Sequence, residues 1–339
     1  MFVRGDKCHD LSNIQYRCSA NFKSAINCPI ANVNVPFFYC ILQSCTVTKF
    51  TIPVLPDTQN EVSGRQGMFF SQMRWIARAK DSLHIPVALH VGDLVNFDTI
   101  THFETASKGY QILDSAGVPY VITLGNHDTE AVLPDNGSAA PGNVNLNLRK
   151  TFKFNRYFPV SRFTLQKGRY EEGKSDNSYY TFKAGGKKWL VVALEFCARE
   201  GAARWMDGVM KAHPKYNVIL LTHYHLDPHG SIAKTNAGYG DMKVVDIFNK
   251  YVSPNKNAFM VLSGHVCYNA QRIDTGAHSN PIYQILQNYQ CRDDGGGYIR
   301  LLEIDTRRKT VSAKMYSPFY NNSLKDESLF AIQNIKFIK

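Results

Sequence analysis

The chain has 339 residues, enough for one large domain or two smaller ones, and its composition, 44% apolar and 20% charged, is that of an ordinary globular protein. No apolar run approaches the roughly 18 residues that a membrane-spanning helix needs, so we expect no transmembrane span. Lysine and arginine exceed aspartate and glutamate by 39 − 28 = 11. That excess favours anionic partners such as phosphates or nucleic acid, or else reflects a solvated basic surface.

The first 48 residues differ from the rest, because most of the cysteines lie there without any C-x-x-C spacing. The stretch NVPFFYCILQSC weakly resembles a bacterial lipoprotein cleavage site with Cys45 as the lipidated residue. The alternative is a poorly ordered extension, or sequence upstream of the natural start. We therefore predict an extension over residues 1–48, either an export signal or poorly ordered, and one domain over residues 49–339.

Five short apolar runs with the composition of strands each end in polar side chains. The runs are FTIPVLPDTQ with Asp57 and Gln59, IPVALHVGDLVN with Asp93 and Asn96, VPYVITLGNHD with Asn126 and His127, YNVILLTHYH with His223 and His225, and NAFMVLSGHVC with His265 and Cys267. Helical spacing over residues 71–83, 101–117, 202–213 and 241–252 separates several of these runs. Strand–helix alternation predicts a largely parallel sheet, with sites at the carboxyl ends of its strands.

The middle and the end of the chain have a different pattern. NSYYTFKAGGKKWLVVALEF predicts a hairpin that turns at Gly185 and Gly186, and PIYQILQNYQ, GGYIRLLEID and TVSAKMYSP predict further antiparallel strands. These strands suggest a second sheet packed on the first. A long polar loop over residues 134–147 either borders a substrate cleft or only connects two elements.

The polar strand ends have the chemistry of a metal centre. Carboxylate, amide and imidazole groups bind divalent metals of borderline hardness. Two metals about 3.5–4 Å apart can hold a phosphate and generate a hydroxide, provided that one carboxylate bridges them. Asp93 follows Gly92, which lets the backbone approach closely, and it is the natural bridge.

The motifs PDTQ, GDLVN, GNHD, LTHYH and SGHVC occur in the order that is typical of the calcineurin-like metallophosphoesterases. The chain resembles that family over about residues 50–320, and most of all its bacterial branch with D-T-Q as first motif. The resemblance implies an α/β fold, a two-sheet α/β/β/α sandwich. It also implies one or two divalent metal ions (Mn, Zn, Fe or Mg) as cofactors.

The resemblance assigns ligands to both metals. One would be held by Asp93, Asn126, His223 and His265, and the other by Asp57, Gln59, Asp93 and Cys267. The family commonly has histidine at the positions of Gln59 and Cys267. We expect Gln59 to offer an amide oxygen and Cys267 a thiolate. Alternatively, Cys267 is a small buried apolar residue and the second metal site is weak or empty.

The resemblance also assigns the catalytic roles. His127 would donate a proton to the leaving oxygen, and Asp93 would hold the metal or metals whose hydroxide attacks phosphorus. Asn96 replaces the usual carboxylate helper of His127, and Asp128 is a possible substitute for that helper. Asn126, Gln59 and His225 are the predicted substrate contacts, although His225 could equally lie outside the site.

We therefore expect a metal-dependent phosphoesterase that hydrolyses a phosphomonoester or a phosphodiester. The alternatives are a catalytically degenerate protein that binds metal and phosphate, and a metal-dependent nuclease. Nucleic acid thus remains a possible partner beside the phosphate-ester substrate. The D-T-Q branch is often exported, which favours the cell envelope or secretion over the cytoplasm.

Overall fold

The structure is a computed structural model that describes residues 47–135 and 142–338. Most of the predicted extension, including Cys45, lies outside these residues, as does the centre of the predicted polar loop. In the described part of the chain, no helix combines the length and the apolar character needed to cross a membrane.

The first of two mixed sheets contains the strands that carry the early motifs. Its spatial order is β13-β12-β11-β1-β2-β3, with β14 also paired to β12. The strands β1, β2 and β3 are parallel to one another, whereas β11 is antiparallel to β1. The bounds are β1 Lys49–Leu55, β2 Ala88–His90, β3 Tyr120–Ile122, β11 Ile299–Asp305, β12 Thr310–Ser317, β13 Asn322–Ser323 and β14 Phe330–Ile332.

The second sheet contains the strands that carry the late histidine motifs. Its spatial order is β4-β5-β6-β7-β8-β10-β9, and β6, β7, β8 and β10 are parallel. The bounds are β4 Gln166–Arg169, β5 Ser178–Ala184, β6 Lys187–Leu194, β7 Asn217–Thr222, β8 Ala258–Ser263, β9 Tyr268–Thr275 and β10 Pro281–Asn288. The predicted hairpin is confirmed: Ala184 pairs with Lys187, and Gly185 and Gly186 have φ values of 59° and 69°.

The two sheets pack face to face, because alternate side chains of each strand enter different cores. In β6, Trp189 and Val191 join the large core that the two sheets share, together with Ile52 of β1. Leu190 and Val192 point to the other face, where they pack against the helix Glu200–Ala212. The predicted two-sheet α/β sandwich with helices on its outer faces is therefore confirmed.

The helices lie near their predicted places but with shifted ends. They are α1 Gln59–Gly64, α2 Gln66–Ala79, α3 Ile100–Ser115, α4 Val144–Asn147, α5 Phe152–Tyr157, α6 Glu200–Ala212 and α7 Val244–Ile247. The predicted helix over residues 241–252 is only partly right, because α7 is short and continues as a π-helical turn at Phe248–Val252. Two short 3-10 turns, Val160–Arg162 and Asp293–Gly295, complete the set among the described residues.

One part of the sheet prediction is wrong. The last long strands, β11 and β12, do not extend a second sheet but return to the first one, where β11 pairs with β1. In turn, β7 and β8, which the sequence places with the early strands, belong to the second sheet. The motif-bearing strand ends therefore come from both sheets.

Candidate metal centre

The polar strand ends meet at one edge of the sandwich. Asp57, Asp93 and Asn126 follow β1, β2 and β3, while His223 and His265 follow β7 and β8. Four of these side chains are buried and His265 is half-buried. Because the strands of each parallel set end on the same side, their carboxyl ends bring these groups together.

The centre of the cluster consists of Asp93, His223 and His265, whose candidate ligand atoms all lie within 4.8 Å of one another. His223 Nε2 lies 3.1 Å from Asp93 Oδ2, and His265 Nδ1 lies 3.2 Å from His223 Nε2. His223 Nδ1 donates to the carbonyl oxygen of Val91 at 2.8 Å. With Nδ1 engaged in this way, Nε2 is the ring atom that faces Asp93 and His265, and it would bind a metal ion once the cation displaces its proton.

The electrostatics of the cluster are those of a cation site. Burial lowers the pKa of His223, but Asp93 and Asp57 raise it more, so that the pKa is about 9. Burial and the neighbouring His223 lower the pKa of His265 to about 3. The carboxylates thus favour one positive charge between the two rings, and a divalent cation would satisfy the same field.

Three of the predicted ligands have a buried side-chain oxygen atom with no hydrogen-bond partner among the described residues. They are Asp57 Oδ1, Gln59 Oε1 and Asn126 Oδ1. A buried acceptor without a donor costs free energy, so such atoms call for a partner. All three are oxygen ligands suited to divalent cations, and the residues present therefore fit one or two metal ions.

Glycines make the close approach of these groups possible. A Cβ atom on Gly125 would lie 2.0 Å from Asp93 Oδ1, and one on Gly264 would lie 2.0 Å from Asp57 Oδ1. Gly92 has a φ of 97°, and a Cβ atom there would lie 2.7 Å from His223 Nδ1. The glycines of the GDLVN, GNHD and SGHVC motifs are thus required by the site itself.

His127 is held beside this cluster by two main-chain contacts. Its backbone N–H donates to Asp93 Oδ1 at 3.0 Å, and its Nδ1–H donates to the main-chain carbonyl of Asn96 at 2.6 Å. The acceptor on Nδ1 is a carbonyl, so the Nε2 atom remains for proton exchange. The expected helper position thus acts through its backbone and not through its amide side chain.

Asp128 does not replace that helper. Its Oδ1 accepts from the backbone N–H of Val95 at 3.0 Å, and its Oδ2 accepts from the N–H of Gly125 at 2.9 Å. Burial and the nearby Asp93 raise the pKa of Asp128 to about 7. Asp128 therefore ties the Asp93 loop to the Asn126 loop and is not available to His127.

The predicted thiolate ligand is contradicted. Cys267 forms a disulfide with Cys291, and a sulfur atom bonded to another sulfur is not a thiolate. Gln59, by contrast, is buried at the start of α1 with its amide oxygen unpaired. The second predicted ligand set then consists of oxygen donors from Asp57, Gln59 and Asp93.

His225, a predicted substrate contact, has its ring engaged by another side chain. His225 is buried, and its Nε2 lies 2.5 Å from Gln284 Oε1. Gln284 lies two residues after Ile282, which belongs to the helix-covered core of the second sheet. Because residues two apart in a strand share a face, the partner of His225 lies on the helix-covered face of the second sheet.

Sequence reasoning missed Asn288, at the end of β10. Its Nδ2 donates to Asp57 Oδ2 at 2.8 Å, and the backbone N–H of His265 donates to the same oxygen at 2.9 Å. These two bonds orient Asp57 and leave its Oδ1 free for a cation. The sequence analysis predicted this run as an antiparallel strand, whereas β10 is parallel to β8, and its carboxyl end therefore lies on the side of the site.

Comparisons with known proteins agree with this geometry. The family model described as calcineurin-like phosphoesterase matches residues 50–269. The chain is 28% identical over 280 residues to the uncharacterized protein YvnB of Bacillus subtilis (strain 168), a match that covers 80% of this chain. The chain spans only 20% of the length of that relative.

Solved structures share the fold at low identity. A purple acid phosphatase from yellow lupin (Lupinus luteus) seeds superposes with a TM-score of 0.52 at 13% identity, over 85% of this chain and 54% of that chain. A dimetal phosphatase from Danio rerio has a TM-score of 0.52 at 10% identity, over 84% of this chain and 98% of that chain. At such identities these matches support the sandwich architecture alone.

Proposed function

This chain belongs to the calcineurin-like phosphoesterase family, and on that premise we propose that it hydrolyses a phosphomonoester or a phosphodiester at the cluster around Asp93. One observation carries the proposal. Loops from two sheets bring the ligand atoms of Asp93, His223 and His265 within 4.8 Å of one another, and three further predicted ligands have unpaired buried oxygen atoms.

The proposed ligand sets follow from these positions. Asp93, Asn126, His223 and His265 would hold one metal ion, and Asp57, Gln59 and Asp93 would hold the other. Bound divalent ions supply positive charge that polarises a phosphoryl oxygen and lowers the pKa of water. With Cys267 in a disulfide, the second set has only oxygen donors, which favours Mn²⁺ or Mg²⁺ over Zn²⁺ there.

Other residues of the site would orient the metal ligands and protonate the leaving oxygen. The carbonyl of Asn96 fixes the ring of His127, whose Nε2 would give a proton to the leaving oxygen. Asn288 and the backbone of His265 hold Asp57 in place. The rings of Phe196 and Tyr224 pack against His265, with centroids 5.0 Å away in both cases, and limit the access of water to that side.

The disulfide also bears on the cellular location of the protein. Structural disulfides persist in oxidising surroundings, and Cys267–Cys291 is therefore in keeping with a cell-envelope or secreted protein. Labelling of free thiols in protein taken directly from cells, without reduction, tests this assignment. Cys267 and Cys291 are expected to be protected from the label.

Turnover by the full chain tests the function. Purified protein, stripped of metal and reloaded with Mn²⁺, is assayed on bis-p-nitrophenyl phosphate and p-nitrophenyl phosphate. We expect activity that a chelator abolishes and that Asp93→Asn lowers by at least about 100-fold, since even outer partners of ligands are worth 10- to 100-fold. Asp305→Asn, at the end of β11, is the matched control that keeps activity.

The second candidate is a degenerate protein that binds metal and phosphate without turnover. The Cys267–Cys291 disulfide, which removes the predicted thiolate from the second ligand set, is the observation that favours it. A folded protein that binds Mn²⁺ but hydrolyses neither ester with any divalent metal would establish this candidate in place of the enzyme.

A further inference from the structure

Asp93 has a backbone conformation that is uncommon for residues other than glycine. Its φ is 51°, in the left-handed region, and the preceding Gly92 has a φ of 97°. In this conformation the carboxylate meets His223 Nε2 on one side and the backbone N–H of His127 on the other. A strained turn at a site persists only when the surrounding contacts hold it.

Two buried side chains hold this turn from both ends. The backbone N–H of Gly92, just before Asp93, donates to His90 Nδ1 at 3.1 Å. The carbonyl of Leu94, just after Asp93, accepts from the Thr58 hydroxyl at 3.2 Å. Thr58 and His90 are joined to each other, with 2.9 Å between Thr58 Oγ1 and His90 Nε2.

The direction of these three hydrogen bonds is fixed. Because His90 Nδ1 accepts from Gly92, its proton must lie on Nε2, from which it is donated to Thr58 Oγ1. The threonine proton is then free for the carbonyl of Leu94. Burial lowers the pKa of His90 to about 3, in keeping with a ring that stays neutral.

Thr58 makes these bonds instead of the usual N-cap hydrogen bond. It occupies the N-cap position of α1, where a threonine normally accepts from the first turn of the helix, yet its side chain makes no capping bond. Its hydroxyl points instead to the Asp93 loop. Thr58 also lies between Asp57 and Gln59, two of the predicted ligands, so that its contacts join both ligand loops.

We propose that Thr58 and His90 are positioning residues that hold Asp93 in its left-handed conformation and fix its distance from Asp57. The inference rests on the proposed metal-binding role of these carboxylates. Neither residue touches the metal cluster in this scheme; both act through the backbone of Gly92 and Leu94 and through the loop of Asp57.

Metal affinity of the full chain tests the proposal. Binding of Mn²⁺ to metal-free protein is measured by titration calorimetry for the wild type, Thr58→Val and Thr58→Ser. Valine keeps the shape but removes the hydroxyl, whereas serine keeps it. We expect Thr58→Val to bind Mn²⁺ roughly 10- to 100-fold more weakly, as for other outer partners of ligands, and Thr58→Ser to restore the affinity.

Thr123→Val is the matched control. Thr123 is equally buried, and its backbone N–H pairs with the carbonyl of His90, but its hydroxyl donates to the carbonyl of Leu194 at 2.9 Å and not to the Asp93 turn. This variant is expected to lose a similar amount of stability and to keep the affinity for Mn²⁺. Thermal unfolding of both variants shows whether a change in Mn²⁺ affinity reflects the position of Asp93 or only a loss of overall stability.

The proposal is overturned if Thr58→Val binds Mn²⁺ like the wild type, if Thr58→Ser fails to restore binding, or if Thr123→Val weakens binding as much. A second readout is the ¹⁵N spectrum of His90, which we expect to show the Nε2–H tautomer; the Nδ1–H tautomer would contradict the scheme. Absence of turnover would refute the proposed hydrolytic function. The Mn²⁺ affinities test the positioning role of Thr58 and His90 independently of turnover.

Discussion

At the scale of single residues, the main chain performs tasks that the sequence suggested for side chains. Position 96 has asparagine where the resemblance implies a carboxylate helper for His127, yet the backbone carbonyl of Asn96 accepts the Nδ1 hydrogen bond. Every residue has such a carbonyl, so the residue type at position 96 carries no sign of this role. Asp128, the other candidate helper, is fully engaged by backbone N–H groups.

A substitution at His127 tests its proposed proton transfer. We expect His127→Gln to lower kcat by about 10²- to 10⁴-fold on an alkyl phosphate, because an alkoxide needs a proton to leave. The loss on p-nitrophenyl phosphate is expected to be smaller, since its leaving group is a stabilised anion. Steady-state kinetics on both esters at saturating Mn²⁺ give the comparison.

His102→Gln is the control for that variant. The His102 ring stacks on Phe97 with centroids 6.0 Å apart, while Phe97 lies 6.5 Å from the His127 ring. The control therefore perturbs the packing around Phe97 without changing the proposed proton donor. It should leave the ratio of the rates on the alkyl phosphate and on p-nitrophenyl phosphate unchanged. Equal losses on both esters in His127→Gln would count against the proton transfer.

At the scale of elements, the sequence predicted local features well and the pairing of distant ones less well. The strands that carry the motifs and their polar carboxyl ends are visible as apolar runs, and the Gly185–Gly186 turn was identifiable from its composition. The return of β11 to β1 was not predictable, because it depends on contacts between residues about 250 positions apart. The same reason hid the Cys267–Cys291 pair, which depends on the register of β9 with β10.

The disulfide is expected to stabilise the β9–β10 hairpin beside the site. It closes a loop with a sequence separation of 24, and loops of that size are worth about 2–4 kcal/mol in the free energy of unfolding. Cys291→Ala should lose that amount in urea unfolding under oxidising conditions. With a dithiol reductant present, the wild type should unfold like the variant.

Cys197→Ala provides the comparison for a buried cysteine outside any disulfide. Its loss of stability should be the same with and without reductant, because the packing and the thiol hydrogen bond to the carbonyl of Asn236 that it removes do not depend on a disulfide. A Cys291→Ala protein as stable as the oxidised wild type would show that the cross-link does not support the fold.

At the scale of the whole molecule, the proposed centre joins the two sheets. The first sheet supplies Asp57, Asp93 and Asn126, and the second supplies His223 and His265. Sequence order alone suggested one sheet, since each motif looks alike along the chain. The excess of positive charge, 11 over the whole sequence, agrees with an anionic ester as substrate but does not distinguish a small ester from a nucleic acid.

The position of bound manganese tests the central claim most directly. Crystals of the full chain grown with Mn²⁺ would be measured at a wavelength where manganese scatters anomalously. The account predicts an anomalous peak in contact with Asp93, His223 and His265, and a second one, if present, beside Asp57 and Gln59. Well-ordered crystals with no anomalous peak among these residues, or with manganese bound elsewhere, would contradict it.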